Sequence, residues 1–199
     1  MEYVHNAESL NDFLDSSNKY DVKYIGDAII RFMFTNLFKH KMIYTDVHYG
    51  NFLIQNNKRL YVLDFGSIHY VDEKIFDKLP VLLCSLYQRD KDTFYDTMEI
   101  LGVISKTKPI SEESREYMWD YFMLQFAPWL LIDDDFEFTE IWLDDCGLRN
   151  VTLMNEWVLP SNMIWLNKLC HGFSHVLARM NFKGNYIKLF QELGVYPSS

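Results

Sequence analysis

The sequence predicts a mostly helical α+β fold that contains one short β-hairpin. Apolar residues recur at three-to-four spacing in several long segments, which is the pattern of amphipathic helices. Only residues 52–55 and 60–63 form short apolar runs separated by a polar break, the pattern of two strands joined by a tight turn. We therefore expect helices to dominate and strands to be confined mainly to residues 42–63.

The length and composition fit one domain with a sizeable core. The chain has 199 residues, of which 49% are apolar and 17% aromatic. No run approaches the roughly 18 uncharged apolar residues that a bilayer-spanning helix requires. We expect a globular domain over residues 1–199 without a transmembrane segment.

The charge and the cysteines exclude several classes of protein. Lysine and arginine total 19 against 28 acidic residues, a formal charge of −9, so there is no general basic surface for nucleic acid. Cys84, Cys146 and Cys170 are odd in number, widely spaced and without a Cys-x-x-Cys pair, which argues against a disulfide framework or a zinc site. A reducing intracellular compartment fits this usage, and the first residues show no targeting signal.

Two helices are predicted before the hairpin. Asn6 is expected to cap a helix over residues 8–14. A longer helix is predicted over residues 21–41, with one buried apolar face and the basic residues 39–41 in its last turn, where the helix dipole favours them. The long helix leads directly into residues 42–44 and the polar stretch that follows, so we expect it to support that stretch.

The later helices are predicted from their capping and breaking residues. Asp72 begins a helix that Pro80 kinks or breaks, and a second helix over residues 92–101 stops at Gly102. The remaining boundaries follow the same rules. A helix capped by Ser111 is expected to end at Pro128, and one capped by Ser161 to end near Gly184.

Three polar side chains at fixed separations surround the hairpin. Asp46 precedes Asn51 by five residues, and Asp64-Phe65-Gly66 begins thirteen residues after Asn51. Because the hairpin folds the chain back on itself, Asn51 and Asp64 should lie close together. A kinase catalytic loop has the same order, Asp-x-x-x-x-Asn and then Asp-Phe-Gly. In that template Asp46 orients the substrate hydroxyl, while Asn51 and Asp64 hold Mg²⁺.

Other patterns in the chain are weaker. The acidic residues 133–135 lack the spacing, glycine and closing glutamate of a calcium-binding EF-hand, so a solvated turn is the better interpretation. His171 and His175 have the i, i+4 spacing of a zinc pair, but no acidic third ligand follows. No Gly-x-Ser-x-Gly elbow or Cys–His arrangement supports hydrolase chemistry.

With these residues in place, the chain resembles the UbiB-like (ADCK) atypical kinases linked to coenzyme Q biosynthesis. The resemblance is carried by residues 1–4, 45–51, 63–66 and the helix after residues 159–160. The family motif Asp-Pro-His-Pro-Gly-Asn keeps its Asp, His, Gly and Asn here, while both prolines are replaced, by Val47 and Tyr49. Loss of the prolines frees the loop backbone without removing a group that would touch metal or substrate. The family's late helix, with a basic residue four before a glycine, is matched by Lys168 and Gly172.

The resemblance implies which residues serve the site. Adenine would meet the hinge, formed by Met1, Glu2, Tyr3 and Val4. The catalytic loop would be supported by His48, Gly50, Phe65 and Gly66. The implied cofactors are ATP and Mg²⁺, the implied partners are lipid or quinone-pathway components, and the implied locations are a mitochondrion, a plastid or the bacterial cytoplasm.

The resemblance also implies a protein-kinase-like large lobe without its small lobe. The small lobe of the family carries an alanine-rich phosphate-covering loop, a phosphate-binding Lys and a preceding Lys-x-Gly-Gln segment, and it comes before the hinge. Because this sequence begins at the hinge, a start assigned at an internal Met would produce it. We expect such a lobe to expose apolar surface and to self-associate.

Two other functions compete with the UbiB-like kinase or ATPase. A small-molecule kinase of the aminoglycoside or choline type shares the metal geometry, but it usually lacks the glycine found here at Gly66. A pseudokinase remnant would bind a partner and catalyse nothing. Retention of Asp46, Asn51 and Asp64 weakens the second alternative, whereas the missing small lobe strengthens it.

Overall fold

The computed structural model describes residues 4–15, 22–56, 59–131, 134–147, 153, 155–161 and 163–197. Its helices are α1 (Leu10–Asp15), α2 (Val22–His40), α3 (Glu73–Phe76), α4 (Leu79–Gln88), α5 (Lys91–Leu101), α6 (Glu112–Leu130), α7 (Glu140–Asp145), α8 (Ile164–Arg179) and α9 (Ile187–Glu192). Its strands are β1 (Ala7–Ser9), β2 (Met42–Tyr44), β3 (Phe52–Gln55), β4 (Arg59–Val62), β5 (Ile68–Tyr70), β6 (Phe136–Glu137) and β7 (Lys183–Gly184). The predicted mixed and mostly helical class is confirmed.

Small sheets accompany the helices. The largest sheet in the described part of the chain has three strands in the order β1-β3-β4, and β3 and β4 form the predicted hairpin. A second sheet pairs β2 with β5, which joins the residues just before the predicted catalytic loop to those just after Gly66. Both sheets therefore bring the two halves of the sequence motif together.

The chain divides into two compact units of interleaved sequence. The first unit comprises Met1–Tyr70, Glu137–Leu143 and Trp165–Gly184, and the second comprises Val71–Phe136, Asp144–Ile164 and Asn185–Ser199. Every residue of the predicted catalytic motif belongs to the first unit.

Helix α2 provides much of the core of the first unit. Its predicted apolar face is buried, with Ile25 and Ile29 fully covered. On the same helix a Cβ atom at Gly26 would overlap the ring of Phe182, so a glycine is needed where these two segments touch. Aromatic rings continue this core from Tyr44 to Phe52 and Phe173, with ring centroids 6.0 and 6.3 Å apart. The core of the first unit therefore lies directly beneath the predicted catalytic loop, residues 46–51.

The second unit is a cluster of helices around buried aromatic rings. Helices α4, α5 and α6 pack on one another. Phe94 of α5 is fully buried and meets the ring of Trp119 edge-on at 5.2 Å. Near the end of the chain the hydroxyl of Tyr196, itself buried, donates to the carbonyl of Trp129 at 3.0 Å.

Some helix boundaries follow the predicted signals. Pro80 breaks the helical segment after Asp72, since α3 ends at Phe76 and Pro80 lies in the first turn of α4. A missing N–H has no cost in a first turn, where no intrahelical acceptor exists. Gly102 ends α5 in a left-handed conformation with φ of 82°, as its sequence position predicts.

The first predicted helix was assigned to the wrong residues. Asn6 does not cap it, because Asn6 lies in a turn with φ of 54° and the chain then forms β1 against β3. The helix begins at Leu10 instead, where the hydroxyl oxygen of Ser9 accepts the N–H of Asp12 at 3.1 Å. Pairing with a distant strand therefore decides where this helix starts.

Three later boundaries were also wrong. Helix α6 continues to Leu130, two residues beyond Pro128. The proline leaves the carbonyl of Leu124 without its helical N–H, and the thiol of Cys146 approaches that carbonyl at 4.0 Å. Helix α8 begins at Ile164, three residues after Ser161, and ends at Arg179 rather than near Gly184.

No helix among the described residues is both long enough and apolar enough to cross a membrane.

Candidate active site

The hairpin brings Asn51 next to the residue that precedes Asp64. The strand register pairs Phe52 with Val62, and one step further the N–H of Leu63 donates to the carbonyl of Asn51 at 2.9 Å. Asp64 follows immediately and is exposed. The last backbone hydrogen bond of the hairpin thus brings the two halves of the motif together, as the predicted tight turn requires.

Asp46 and Asn51 are in direct contact. The side-chain amide of Asn51 donates to Oδ2 of Asp46 at 2.7 Å and to the backbone carbonyl of Asp46 at 3.2 Å. Because the side-chain nitrogen of Asn51 is used in this way, the side-chain oxygen Oδ1 is the atom left to accept a hydrogen bond or to bind a cation. The contact fixes Asp46 relative to the hairpin.

The loop between these two residues is held by its own backbone and by a histidine. The Nδ1 atom of His48 accepts the N–H of Gly50 at 3.1 Å, and the N–H of Asn51 donates to the carbonyl of His48 at 2.9 Å. These bonds form a single 3₁₀ turn over Tyr49–Asn51. The turn directs Asn51 towards Asp46.

On the other side of the motif, Asp64 and Gly66 form a local turn. The N–H of Gly66 donates to Oδ1 of Asp64 at 2.7 Å. A Cβ atom at Gly66 would lie 3.0 Å from that same oxygen, tighter than ordinary contacts, so the glycine allows the carboxylate to approach the backbone closely. Phe65 between them is 54% exposed.

Thr45 ties the two sides together. It is 3% exposed, its N–H donates to the carbonyl of Ser67 at 3.0 Å, and its hydroxyl lies 2.7 Å from the hydroxyl of Ser67. The strand pair β2–β5 continues from this point. Motion of Asp46 relative to Asp64 is therefore restricted by a side-chain and backbone link between their neighbours.

Helix α8 packs along the loop at the positions where the family has proline. A Cβ atom at Gly172 would lie 3.0 Å from Cβ of Val47, so only a glycine lets the helix approach this closely. The guanidinium of Arg179 lies over the ring of Tyr49, 4.8 Å from its centroid, and pairs with Asp15 at 2.8 Å. Contacts with α8 thus support the loop where its sequence lacks proline.

Tyr44 lies beneath the motif. Its ring is in edge contact with the rings of Phe52 and Phe65, at 6.0 and 6.2 Å between centroids. Burial raises the pKa of Tyr44, the neighbouring amide of Asn51 acts in the opposite direction, and the charges of Asp46 and Asp64 raise it further. With its pKa raised, the hydroxyl stays protonated at neutral pH.

The donor set fits a cation that keeps water or phosphate ligands. Asp46 and Asp64 supply two exposed carboxylates and Asn51 supplies an amide oxygen, all hard oxygen donors. Among the described residues no group of three or more His, Cys, Asp or Glu side chains is arranged to enclose a metal ion. Mg²⁺ bound with nucleotide needs only one or two protein ligands, so this small set suits it. That Asn51 and Asp64 share one ion stays a prediction.

The hinge prediction falls largely outside the structure. Met1, Glu2 and Tyr3 lie outside the described residues, and Val4 is partly exposed. The expectation that apolar side chains near the site are exposed has support elsewhere, because Leu63 is 45% and Phe65 54% exposed. Contact with adenine stays a prediction for all four hinge residues.

The first histidine of the α8 pair lies in a half-buried position. His171 is half-buried, and burial followed by the charge of His175 lowers its pKa. A lowered pKa favours the neutral imidazole that packing requires.

Sequence reasoning missed three groups that the structure places at the site. Tyr44 and Thr45 directly precede Asp46 in the sequence. Only the tertiary fold shows that the ring of Tyr44 supports the motif and that the hydroxyl of Thr45 bonds to Ser67. Arg179 lies 133 residues after Asp46, and no local pattern links it to Tyr49. The replacement of proline by Tyr49 was the available signal, since an aromatic ring can accept an arginine.

Comparison with a family of known proteins agrees with this geometry. Residues 1–98 match the family model of the ABC1 atypical kinase-like domain, and they include the whole predicted catalytic motif. Over these residues the resemblance to the UbiB-like atypical kinases is confirmed. No curated protein matches the chain.

A solved structure shares the fold of this chain. Rv3197 from Mycobacterium tuberculosis, solved in complex with erythromycin, aligns with a TM-score of 0.74 at 18% identity. The alignment covers 96% of this chain but 48% of Rv3197, so the chain spans about half the length of that protein. At this identity the likeness shows the fold alone.

Proposed function

We propose that the chain carries the large, catalytic lobe of an ATP- and Mg²⁺-dependent atypical kinase or ATPase of the UbiB type. The observation that carries the proposal is the joint placement of the three motif residues. Asn51 donates to Asp46 at 2.7 Å, and the backbone of Asn51 receives the N–H of Leu63, next to Asp64. A motif that is spread over nineteen residues, from Asp46 to Asp64, is thereby collected at one end of a hairpin.

Each residue has a separate role in the proposed reaction. Asp46 uses Oδ2 to accept from Asn51, and Oδ1 has no hydrogen-bond partner in the described part of the chain. That free oxygen can accept the proton of an acceptor hydroxyl or of a water. Asn51 and Asp64 would hold Mg²⁺, which when bound neutralises charge on the phosphates. The turn of Asp64 with Gly66 keeps the carboxylate oriented for this role.

The geometry favours a UbiB-type site over an aminoglycoside- or choline-type kinase. The N–H of Gly66 bonds the carboxylate of Asp64, and the glycine is the position that distinguishes the two motifs. The non-catalytic alternative would leave Asp46, Asn51 and Asp64 without a ligand. We extend the proposal to a lipid or quinone-pathway acceptor on the family resemblance alone.

The 199 residues alone should bind nucleotide weakly. Phosphoryl transfer depends on groups that cradle the phosphates, and in protein kinases these belong to a small lobe. We expect a dissociation constant for MgATP between about 0.1 and 1 mM, or roughly −4 to −5.5 kcal/mol. The metal ligands supply this affinity without excluding water from the phosphates.

Calorimetric titration with MgATP tests the proposal. Asp64→Ala should abolish binding, whereas Asp96→Ala, which removes the same charge from an exposed position of α5, should leave it unchanged. The proposal fails if the wild type gives no binding heat at about 5 mM MgATP, some five times the weakest expected constant. Equal binding by the wild type and Asp64→Ala would place any nucleotide site elsewhere.

A further inference from the structure

One buried hydroxyl at the site lacks a hydrogen bond. Tyr44 is 3% exposed, and its hydroxyl has no hydrogen-bond partner among the described residues. Tyr196 is equally buried, but its hydroxyl donates to the carbonyl of Trp129 at 3.0 Å. Because an unsatisfied buried hydroxyl is destabilising, an unpaired one needs an explanation such as a missing ligand.

The packing of the ring does not require the hydroxyl. The Tyr44 ring meets Phe32, Phe52 and Phe65 edge-on at 5.7, 6.0 and 6.2 Å. A phenylalanine would make the same ring contacts and would leave no polar atom unpaired. The oxygen is therefore the part of the side chain that the core does not explain.

The position of the hydroxyl points to the catalytic site. The amide of Asn51 lies beside it without forming a hydrogen bond of normal geometry. The Tyr44 ring contacts Phe52 and Phe65, which directly follow Asn51 and Asp64 in the chain, so the phenol lies beside the motif. A phenol O–H beside this motif can donate a hydrogen bond to a ligand that the motif holds.

We propose that the Tyr44 hydroxyl donates a hydrogen bond to an oxygen of the bound Mg²⁺–nucleotide, either a metal-bound water or a phosphate oxygen. This inference rests on the proposed function and adds a fourth polar group to the site. It makes Tyr44 a residue that contacts the cofactor rather than one that only supports Phe65.

The variant Tyr44→Phe tests the inference because two effects should have opposite signs. Without ligand the variant should melt about 2–4 °C above the wild type, since the unpaired hydroxyl is gone. Its affinity for MnATP, followed by the electron paramagnetic resonance of free Mn²⁺, should fall about tenfold, the effect of one hydrogen bond to a charged group. A purely structural tyrosine would give no such pair of changes.

Tyr196→Phe is the matched control. It removes a buried hydroxyl that has a partner, so it should lower the melting temperature and leave MnATP binding unchanged. Titration with Mn²⁺ alone identifies the acceptor. If Tyr44→Phe loses as much affinity for Mn²⁺ as for MnATP, the acceptor is a metal-bound water. If it loses affinity for MnATP alone, the acceptor is a phosphate oxygen.

The outcomes separate the inference from the proposed function. If the wild type binds MnATP, Asp64→Ala does not, and Tyr44→Phe binds as the wild type does, the role of the hydroxyl is overturned while the proposed function stands. A lower melting temperature for ligand-free Tyr44→Phe also overturns it. If the wild type binds neither Mn²⁺ nor MnATP, the proposed function fails and the inference fails with it.

Discussion

Thr45 shows how a single buried hydroxyl can define a site. Its side chain reaches the carbonyl of Ser67 at 3.0 Å and the hydroxyl of Ser67 at 2.7 Å, across 22 residues of sequence. The link spans the whole hairpin, so it fixes the start of the catalytic loop relative to the end of the Asp64 turn. Valine has nearly the same shape but cannot make either bond.

We predict that Thr45→Val lowers the free energy of unfolding by about 1–3 kcal/mol, because the Ser67 hydroxyl loses its buried partner. Urea denaturation measures this change. Thr107→Val is the control, because its hydroxyl bond to Ser105 is exposed, and it should change stability by no more than about 0.5 kcal/mol. Equal effects of the two variants would show that the Thr45 link contributes nothing.

Residue identity predicts the three motif residues better than it predicts the side chains that pack around them. Asp46, Asn51 and Asp64 are recognisable because a metal and a phosphate require hard oxygen donors at a spacing that a hairpin can close. Tyr44 adjoins the same motif, yet its hydroxyl is buried and unpaired because its ring packs against three rings from separate segments. Such packing between distant segments cannot be predicted from the local sequence.

At the scale of elements, α8 supports the catalytic loop through one arginine. Arg179 lies over Tyr49 at 4.8 Å and donates to Asn11 at 2.9 Å and to Asp15 at 2.8 Å. It thus connects the loop to α1, which follows the predicted hinge. Each contact is partly exposed and individually weak, but the three share a single guanidinium.

We predict that Arg179→Ala increases amide hydrogen exchange at residues 48–51 by about threefold to tenfold, the effect of losing one cation–π contact and one exposed ion pair. Exchange measured by mass spectrometry or NMR reports this directly. Lys91→Ala is the control, since Lys91 likewise pairs with Glu116 at 2.6 Å and lies over Trp119 at 5.6 Å, in the second unit. If both variants leave the loop unchanged, α8 does not hold it.

Elements were predictable where their signals are local. The hairpin follows from two apolar runs and a polar turn, and α5 ends at Gly102 because only a residue tolerant of positive φ fits there. The start of α1 was missed because residues 7–9 pair with β3, more than forty positions away. The end of α6 was missed because Pro128 was taken as a stop, whereas the helix continues for two residues beyond it.

At the scale of the whole molecule, the chain matches about half of a larger protein. It covers 48% of Rv3197, and its family match over residues 1–98 contains the motif. Leu63 and Phe65, beside the site, are 45% and 54% exposed, more than such side chains usually are. We proposed a catalytic lobe that needs a covering lobe for full activity, and these exposed side chains support that proposal.

The central claim is that Asp46, Asn51 and Asp64 form one metal–nucleotide site. Paramagnetic line broadening by substoichiometric Mn²⁺ in the presence of ATP, read from backbone amides by NMR, tests it most directly. Broadening falls off steeply with distance from the ion, so it reports position even when binding is weak. The account predicts that amides of residues 46–51 and 64–66 broaden first, and that Asp64→Ala removes the effect. Broadening that begins near residues 134–137 or 171–175 instead, or that is unchanged in Asp64→Ala, would contradict it.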